Sequence, residues 1–175
     1  MRIKLIACIN NVHALGKDNE LLYHIPSDLA NFKRLTMNEV VVMGRNTYES
    51  LPKKPLPNRT SIVISSDVEY QPSVSNDSDS VFVADSIESA ISIAETLDCN
   101  TIWVIGGASI YEQFVAKKMA DEIYLTVVDD ELEGDVVFPY IDENQFTLRY
   151  KSNPIKEGDG DSCITHSFQI YQRKK

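Results

Sequence analysis

The chain has 175 residues, of which 43% are hydrophobic, so it can bury one core but is too short for two domains that each carry a complete core. Its 17 basic and 26 acidic residues give a formal net charge of -9, which disfavours nucleic acid and anionic membranes as partners and requires locally placed cations for an anionic ligand. No apolar run approaches the roughly 18 residues of a membrane span, and Cys8, Cys99 and Cys163 lack metal-type spacing, so we expect a cytosolic protein with reduced, mostly buried thiols.

The first part of the chain predicts a strand, a long loop and a helix. Residues 3–9 form an apolar run typical of a strand that is buried on both faces. Residues 10–24 contain Gly16 and several polar turn residues before the apolar pair Leu21-Leu22, which indicates an irregular loop that can act as a lid. Pro26 suits the first turn of a helix, and the apolar stripe of that helix is Leu29, Phe32 and Leu35.

The rest of the chain alternates strands with helices. Strand patterns occupy residues 40–43, 61–64, 81–84, 101–105 and 123–128. Helices are expected after Gly44-Arg45 up to Pro52, after a cap at Asp85 or Ser86, and over residues 108–117. The Ser/Asp-rich residues 65–80 predict a solvated, mobile loop, and residues 145–151 and 164–172 predict an antiparallel hairpin joined by Gly158-Asp-Gly160. This alternation predicts an α/β fold with a mostly parallel sheet covered on both faces.

Asp28 is the most informative single residue. It lies four residues before Phe32 and seven before Leu35, so its carboxylate projects from the apolar stripe of the helix. A carboxylate in a first turn is also favoured by the helix macrodipole. For Asp28 alone, this structural role and a functional role are equally good interpretations. The neighbouring apolar residues favour a ligand-binding or proton-handling role, since an apolar environment raises the pKa of a carboxyl group unless a donor pairs with it.

Two strand-to-helix junctions carry glycine. Gly106-Gly107 lets the backbone and a helix N-terminus approach a phosphate, although a glycine pair is weak evidence and the Gly-x-Gly-x-x-Gly fingerprint is absent. Gly44-Arg45 repeats the arrangement and adds a guanidinium group suited to phosphate. Together the junctions predict a site for a cofactor with two phosphates.

Five groups of motifs make the chain resemble the dihydrofolate reductases, in family order and at family spacing from about residue 3 to residue 139. They are His24-Ile-Pro-Ser-Asp-Leu-Ala-Asn-Phe-Lys33, Val42-Met-Gly-Arg-Asn-Thr-Tyr-Glu-Ser50, Pro55-Leu-Pro-Asn-Arg59, Val104-Ile-Gly-Gly-Ala-Ser-Ile-Tyr-Glu112, and Tyr124-Leu-Thr126 with Glu133-Gly-Asp135. The resemblance implies a three-layer fold with a central, mostly parallel eight-stranded sheet, an antiparallel C-terminal strand and helices on both faces. It also implies one domain over residues 1–175, divided into an adenosine-binding subdomain at about 39–99 and a loop subdomain formed by the remainder.

The activity implied by the resemblance is NADPH-dependent reduction of dihydrofolate to tetrahydrofolate, with hydride transfer to C6 and protonation of N5. Such an enzyme supports one-carbon metabolism and the synthesis of thymidylate, purines and glycine, needs no metal, works as a cytoplasmic monomer and is a target of antifolate inhibitors. Asp28 would hold the 2-amino group and N3 of the pterin, with Thr126 supporting it through its hydroxyl and a water. Leu21 and Tyr23, in a lid braced by the Glu133-Gly-Asp135 loop, complete the implied catalytic group.

The resemblance also implies the binding residues. Arg59 would pair with the α-carboxylate of the substrate's glutamate tail, Tyr111 would lie near the nicotinamide, and Gly106-Gly107 would carry a cis peptide bond. The substrate walls would be Ile6, Ala7, Leu29, Phe32, Leu51, Leu56, Ile105 and Tyr111. The cofactor would contact Ala7, Leu15, Gly16, Gly44, Arg45, Asn46, Thr47, Ser65, Ser66, Ile105, Gly106, Gly107, Ala108, Ser109, Ile110 and Tyr111.

Some residues depart from the family pattern. Tyr23 replaces the usual Trp that orders a water beside the pterin, Leu22 stands where Pro is common, and Ser109 stands where many bacterial members carry a cation. These changes put rate, inhibitor sensitivity and cofactor affinity in doubt, rather than reaction type. Two alternatives remain: a related reductase for another heterocycle, such as a riboflavin-pathway intermediate, and a non-catalytic nucleotide-binding subunit.

Other conspicuous side chains predict structural roles. His13, His24 and His166 form no metal-type cluster and are expected to be loop or strand surface groups. Trp103 lies inside a buried strand pattern and is expected in the core. The basic end Arg173-Lys-Lys175 is expected to be a solubilising tail.

Overall fold

The computed structural model of the chain describes residues 1–74 and 80–175. Its strands are β1 (Arg2–Asn10), β2 (Ala14–Lys17), β3 (Glu20–Leu21), β4 (Val40–Gly44), β5 (Thr60–Ile64), β6 (Val81–Ala84), β7 (Thr101–Gly106), β8 (Glu122–Val128), β9 (Val136–Val137), β10 (Phe146–Lys151), β11 (Ile155–Glu157) and β12 (Ile164–Arg173). Its helices are α1 (Pro26–Thr36), α2 (Arg45–Ser50), α3 (Ile87–Thr96) and α4 (Ala108–Ala116), with a short 3₁₀ turn at Gly160–Ser162.

The main sheet has the strand order β10-β12-β8-β1-β7-β4-β5-β6, and the short strand β11 also pairs with β12. The strands from β8 to β6 along this order are parallel, because a helix or a long connection returns the chain to the same edge before each new strand. Strand β12 is antiparallel to β8, β10 and β11. The predicted eight-stranded sheet with an antiparallel C-terminal strand is confirmed, with β11 as an addition.

Two apolar clusters, one on each face of the sheet, divide the helices. Phe32 of α1 and Tyr48 of α2 pack with Trp103 on one face, whereas α3 and α4 pack on the other. Alternate residues of β4 serve the two clusters: Val41 faces α1 and α2, and Val42 faces α3 and α4. Because both faces of the sheet are covered, the central strands consist of continuous apolar runs. The prediction that Trp103 is a core residue is confirmed.

A second sheet, of order β3-β2-β9, corrects the prediction for residues 10–24. That segment is not wholly irregular: β2 pairs with β3 and, on its other side, with the distant β9. Gly16 permits the tight return, because a Cβ there would lie 2.5 Å from the carbonyl oxygen of Glu20. Pairing with a strand about 120 residues away leaves no local pattern in the sequence.

The predicted pairing of β10 with β12 at the C-terminal end is present. Between them in the sequence lies the short strand β11, which forms the tighter hairpin with β12.

Helix α3 begins after Ser86, whose hydroxyl accepts a hydrogen bond from the Ser89 N–H group, so Ser86 is the cap. In the segment predicted at 65–80 as solvated, most of the described residues are exposed as expected, but Ser65 is buried and Tyr70 contacts the apolar cluster of α1 and α2. Residues 75–79 of that prediction lie outside the described residues.

The cysteines and His166 differ in burial from the sequence prediction. The cysteines are free, as predicted, but Cys8 and Cys99 are only half-buried and Cys163 is exposed, so the expectation of mostly buried thiols is wrong for Cys163. His166 is buried, with 1% of its surface exposed, which corrects its assignment to the surface. Among the described residues, no helix is both long and apolar enough to cross a membrane.

Candidate active site

A crevice opens where β1 and β7 separate at their carboxyl ends. The two strands pair only from Arg2 with Thr101 to Leu5 with Val104. At the next residue, the carbonyl oxygen of Ile6 accepts a hydrogen bond from the Tyr111 hydroxyl of α4 at 2.7 Å. The chain leaves β1 towards α1 on one face and leaves β7 towards α4 on the other face. Such diverging connections create the crevice in which open α/β sheets bind ligands.

Asp28 lies in the first turn of α1 on one side of this crevice. Its Oδ1 accepts a hydrogen bond of 2.5 Å from the Thr126 hydroxyl, and Thr126 is buried in β8 beside Cys8 of β1. Burial raises the pKa of the Asp28 carboxyl, and the Thr126 hydrogen bond acts in the opposite direction. The predicted pair of Asp28 and Thr126 is therefore in direct contact.

The charge of Asp28 acts on two neighbouring groups. Burial raises the pKa of the Cys8 thiol, and the negative charge of Asp28 raises it further. The same two causes, in the same order, raise the pKa of the Tyr111 hydroxyl. Both groups therefore stay protonated beside the carboxylate. Cys8 is absent from the predicted site, although its position two residues after Ile6 in a strand places both side chains on one face.

The apolar residues predicted to line the substrate site are only partly brought together in the structure. Phe32, Leu51 and Ile105 are half-buried and pack against the cluster that contains Ile6. Ala7 is buried, and Leu56 is half-buried. Leu29 is 48% exposed, so in this structure it does not line an enclosed wall.

The two predicted glycine junctions lie side by side. A Cβ on Gly44 would lie 3.8 Å from the Gly107 nitrogen and 3.2 Å from Cγ1 of Ile110, and one on Gly107 would lie 3.2 Å from the Thr47 hydroxyl oxygen. Gly106 has φ +124°, and its peptide bond to Gly107 is cis, as the resemblance implies. No side chain caps α4, whose N-cap is Gly107, so the first N–H groups of this helix can meet an external acceptor.

The predicted phosphate-binding side chains are mostly at the surface. Asn46, Ser66 and Ser109 are exposed, while Ala108 is half-buried. Arg45 is not a free cation: its Nη1 lies 2.8 Å from Asp67 Oδ2, and its guanidinium lies 4.6 Å from the centre of the Tyr70 ring. Ser65 accepts a hydrogen bond from the Asp67 N–H group. Sequence reasoning missed Asp67 and Tyr70 as the residues that orient Arg45.

Arg59 is a buried cation in an acidic protein. Only 8% of its surface is exposed, and its Nε and Nη1 have no hydrogen-bond partner among the described residues. Burial lowers the pKa of this guanidinium. Because an unpaired buried charge is costly, the arrangement suits an incoming anion, and a planar carboxylate fits it best.

The predicted lid is held at its base by Asn10, which sequence reasoning missed. This fully buried amide donates to the Tyr23 hydroxyl oxygen at 3.0 Å and to the carbonyl oxygen of Leu132 at 2.7 Å. Asn10 Oδ1 also accepts hydrogen bonds from the backbone of Val12 and Ala14. The only sequence signal is one polar residue at the end of an apolar run.

The lid also contacts the Glu133-Gly-Asp135 loop. The Asp135 N–H group donates to the carbonyl oxygen of Gly16 at 3.0 Å, and Asp135 Oδ2 accepts from the Asp18 N–H group at 2.9 Å. Leu15 packs against the main core, whereas Leu21 is 54% exposed at the tip. Within the part of the chain that the structure describes, no group of three or more His, Cys, Asp or Glu side chains is arranged to hold a metal ion.

Comparison with known proteins agrees with this geometry. A solved structure of dihydrofolate reductase from Enterococcus faecalis, complexed with NADP(H) and RAB-propyl, superimposes with a TM-score of 0.81 at 28% identity and covers 99% of this chain and 97% of its own. Dihydrofolate reductase type 3 of Salmonella typhimurium is 35% identical over 93% of this chain and 94% of its own length. Dihydrofolate reductase of Haemophilus influenzae is 34% identical over 99% and 100%, respectively. The sequence profile described as dihydrofolate reductase matches residues 2–173, and the chain therefore belongs to the dihydrofolate reductase family.

Proposed function

We propose that this protein reduces dihydrofolate to tetrahydrofolate with NADPH as hydride donor. The observation that carries the proposal is the half-buried carboxylate of Asp28, fixed by Thr126 in an apolar crevice that ends at the paired glycine junctions. The relatives at 34% and 35% identity are named as dihydrofolate reductases, and the Enterococcus faecalis structure contains NADP(H).

The residues on the β7 side of the crevice fit a dinucleotide. A Cβ on Gly44, Gly106 or Gly107 would crowd Ile110, Tyr111 or Thr47, so the absence of these side chains lets the two strand-to-helix junctions pack closely together at the end of the crevice. The uncapped start of α4 and the guanidinium of Arg45 suit phosphate groups. When bound, NADPH supplies the hydride. The remaining contacts proposed for it are Ala7, Leu15, Gly16, Asn46, Thr47, Ser65, Ser66, Ile105, Ala108, Ser109, Ile110 and Tyr111.

The residues on the α1 side fit a pterin. An ionised Asp28 carboxylate can accept hydrogen bonds from an amino group and a ring N–H of the heterocycle, and its negative charge favours the protonated ring that accepts hydride. Thr126 holds the carboxylate in place, and the walls proposed for the ring are Ile6, Ala7, Phe32, Leu51, Leu56, Ile105 and Tyr111, with the exposed Leu29 as a further proposed contact. The buried, unpaired Arg59 is the proposed partner of the carboxylate at the end of the substrate.

The segment of residues 10–24 is the proposed lid. Leu21 at its exposed tip and Tyr23 at its base would shield the reacting rings from water when the lid closes. The hydroxyl of Tyr23 is engaged by Asn10, so it is fixed by the protein at the place where the family usually has a Trp. We also propose that the enzyme is a cytoplasmic monomer, that residues 39–99 form an adenosine-binding subdomain, and that antifolates bind in the pterin crevice.

An assay of NADPH oxidation with dihydrofolate tests the activity. Asp28→Asn keeps the shape of the side chain but removes its charge, so we expect turnover at neutral pH to fall by roughly 10² to 10⁴, with partial recovery at low pH where the substrate is already protonated. Glu95→Gln changes an exposed carboxylate on α3 by the same charge and is the matched control.

The same assay separates the alternatives. NADPH oxidation with a riboflavin-pathway intermediate, but not with dihydrofolate, would assign the protein to another heterocycle. NADPH binding without oxidation of NADPH by either substrate would indicate a nucleotide-binding subunit. Unchanged turnover of Asp28→Asn at neutral pH would remove the proposed role of this carboxylate.

A further inference from the structure

Three polar side chains from two distant parts of the chain meet directly behind Asp28. Ser27, the residue before it in α1, donates its backbone N–H to Glu157 Oε1 at 3.1 Å, and the Ser27 hydroxyl contacts Glu157 Oε2. His166 Nε2 lies 3.0 Å from the Ser27 hydroxyl oxygen and 3.6 Å from Glu157 Oε2. Glu157 ends β11, and His166 lies in β12. We call Ser27, Glu157 and His166 the back cluster.

Counting protons gives the direction of these hydrogen bonds. An ionised Glu157 carboxylate can only accept, so the single hydroxyl proton of Ser27 is donated to it. The Ser27 oxygen is then an acceptor, and the proton between Ser27 and His166 must belong to the Nε2 atom of the imidazole. The chain of donation runs from His166 through Ser27 to Glu157, and it ties the first turn of α1 to the hairpin of β11 and β12.

The burial of His166 indicates more than packing. Its side chain is fully buried, and its Nδ1 atom has no hydrogen-bond partner among the described residues. Leaving such an atom unpaired costs free energy, and an apolar ring would fill the same space against Phe168 without that cost. The hydrogen bond to Ser27, and not packing alone, therefore explains an imidazole in this position.

The back cluster is coupled electrically to the active-site carboxylate. In the sheet, Phe168 lies opposite Thr126, and His166 lies two residues earlier on the same face. Burial and the Thr126 hydrogen bond have the largest effects on the pKa of Asp28. In addition, a positive charge on His166 lowers this pKa, and the negative charge of Glu157 raises it.

The other elements around His166 add little charge to this balance. Its register partners, Val128 on β8 and Ile155 on β11, are apolar, and Lys156 next to Glu157 is exposed. Asp129, after β8, is exposed and meets β12 through its backbone N–H, which donates to Thr165. Glu157 and Asp28 are therefore the acidic groups that matter for the electrostatics of the back cluster.

We propose that Glu157 and His166, acting through Ser27, are positioning residues for Asp28: their hydrogen bonds hold the first turn of α1, and the charge of Glu157 and a proton on His166 act on its carboxylate with opposite sign. The inference rests on the proposed function, since Asp28 is its proposed pterin-binding group. It deepens that function by adding a hydrogen-bonded cluster behind the carboxylate.

The sharp test measures the protonation of Asp28 directly, by NMR titration of its carboxyl carbon in Glu157→Gln and His166→Gln. Glu157→Gln removes the negative charge and keeps one of the two acceptors for Ser27, and His166→Gln keeps a donor to the Ser27 hydroxyl without an ionisable ring. We expect the midpoint for Asp28 to fall in Glu157→Gln and to rise in His166→Gln, each by roughly 0.3 to 1 pH unit for a partly screened neighbouring charge. Lys156→Gln, a charge change on the exposed side of β11, is the control and should leave the midpoint in place.

The pH profile of turnover should shift in the same two directions. A purely structural role would loosen α1 in both variants and move both profiles the same way, so shifts of equal sign, or no shift, would overturn the proposal. The NMR titration needs no substrate, and its result stands whether or not dihydrofolate is reduced.

Ser27→Ala tests whether the hydrogen-bonded link through Ser27 positions Asp28. It removes the hydroxyl link between His166 and Glu157, and we expect a rise of about 3- to 10-fold in the KM for dihydrofolate, because Asp28 is held less firmly. Ser27→Thr retains the hydroxyl and should restore the wild-type KM. A KM for Ser27→Ala equal to that of the wild type would show that the link does not position Asp28.

Discussion

Thr126 donates its hydroxyl proton to Asp28 across 2.5 Å, and this bond joins the first turn of α1 to the middle of β8. Thr126 is 3% exposed and its strand lies in the interior of the sheet, so the donor is held rigidly. The bond fixes the direction in which the carboxylate faces and opposes the effect of burial on its pKa.

Replacing Thr126 by Val tests this bond with little change in volume. Loss of the donor should raise the pKa of Asp28 further, since the hydrogen bond favours the ionised form. The limb of the pH–rate profile that reports Asp28 should therefore move to higher pH, and turnover at neutral pH should fall by about 10-fold, the effect of one charge-assisted hydrogen bond. Thr126→Ser keeps the hydroxyl and should behave like the wild type. An unchanged profile for Thr126→Val would contradict the role of the bond.

The sequence allows the framework of the site to be predicted because that framework is local. The apolar runs that become β1, β4 and β7 are buried on both faces, and the helical spacing of Phe32 and Leu35 fixes the face of α1. Asp28 follows from that spacing, since its position on the helix determines where its carboxylate projects.

The features that could not be predicted depend on contacts between distant residues. His166 has no local signal of burial, because its environment is made by Ser27 and Glu157. The pairing of β2 with β9 is equally non-local. The pairing of Arg45 with Asp67 crosses a polar segment without periodicity. Sequence patterns report which face of an element is apolar, whereas partners across the fold are set by tertiary packing.

Arg59→Gln should weaken substrate binding without a large change in the chemical step. The buried guanidinium has unpaired Nε and Nη1 atoms, and a bidentate carboxylate partner would satisfy them. We expect the KM for dihydrofolate to rise by roughly 10- to 100-fold, corresponding to about 1.5–3 kcal/mol for a hydrogen bond to a charged group, with kcat nearly unchanged.

A pterin substrate without the glutamate tail provides the control for Arg59. Wild type and Arg59→Gln should process it with similar KM values, because the proposed partner of the guanidinium is missing. If the variant raises the KM equally for both substrates, Arg59 acts on the shape of the crevice and not on the carboxylate.

Gly106→Ala should damage the cofactor side of the crevice. Gly106 has φ +124°, a conformation that disfavours a side chain by roughly 1–3 kcal/mol, and an added Cβ would lie 3.3 Å from the Tyr111 hydroxyl oxygen. Because that hydroxyl holds the carbonyl of Ile6, we expect a lower Tm and a loss of NADPH affinity of at least 10-fold, measured by fluorescence titration.

Gly160→Ala is the matched control for Gly106. Gly160 also has positive φ, at +56°, but nothing lies within 4 Å of an added Cβ. It should lower the Tm modestly and leave NADPH affinity intact. Equal losses of affinity in both variants would show that backbone strain alone, without the contact to Tyr111, explains the effect.

The buried carboxylate of Asp28 should also cost stability at neutral pH. Its pKa is raised in the folded protein, so folding favours the protonated form. The contribution of this group to stability is complete below the ordinary carboxyl pKa of about 3.9, and it is lost as the pH rises through the raised value. Asp28→Asn does not ionise and can still accept the Thr126 hydrogen bond. We therefore expect its Tm to exceed that of the wild type at pH 7, with the difference disappearing below about pH 4.

Thermal unfolding of Asp28→Asn and Glu95→Gln, followed by circular dichroism from acid to neutral pH, checks this expectation. Glu95→Gln removes one negative charge from an exposed site and corrects for the general effect of lowering the net charge of -9. A gain in Tm that is specific to Asp28→Asn and grows with pH means that the ionised Asp28 carboxylate makes the folded enzyme less stable. A loss of Tm at pH 7 would instead mean that the ionised carboxylate, through its hydrogen bond to Thr126, is more stable in the folded protein than its burial suggests.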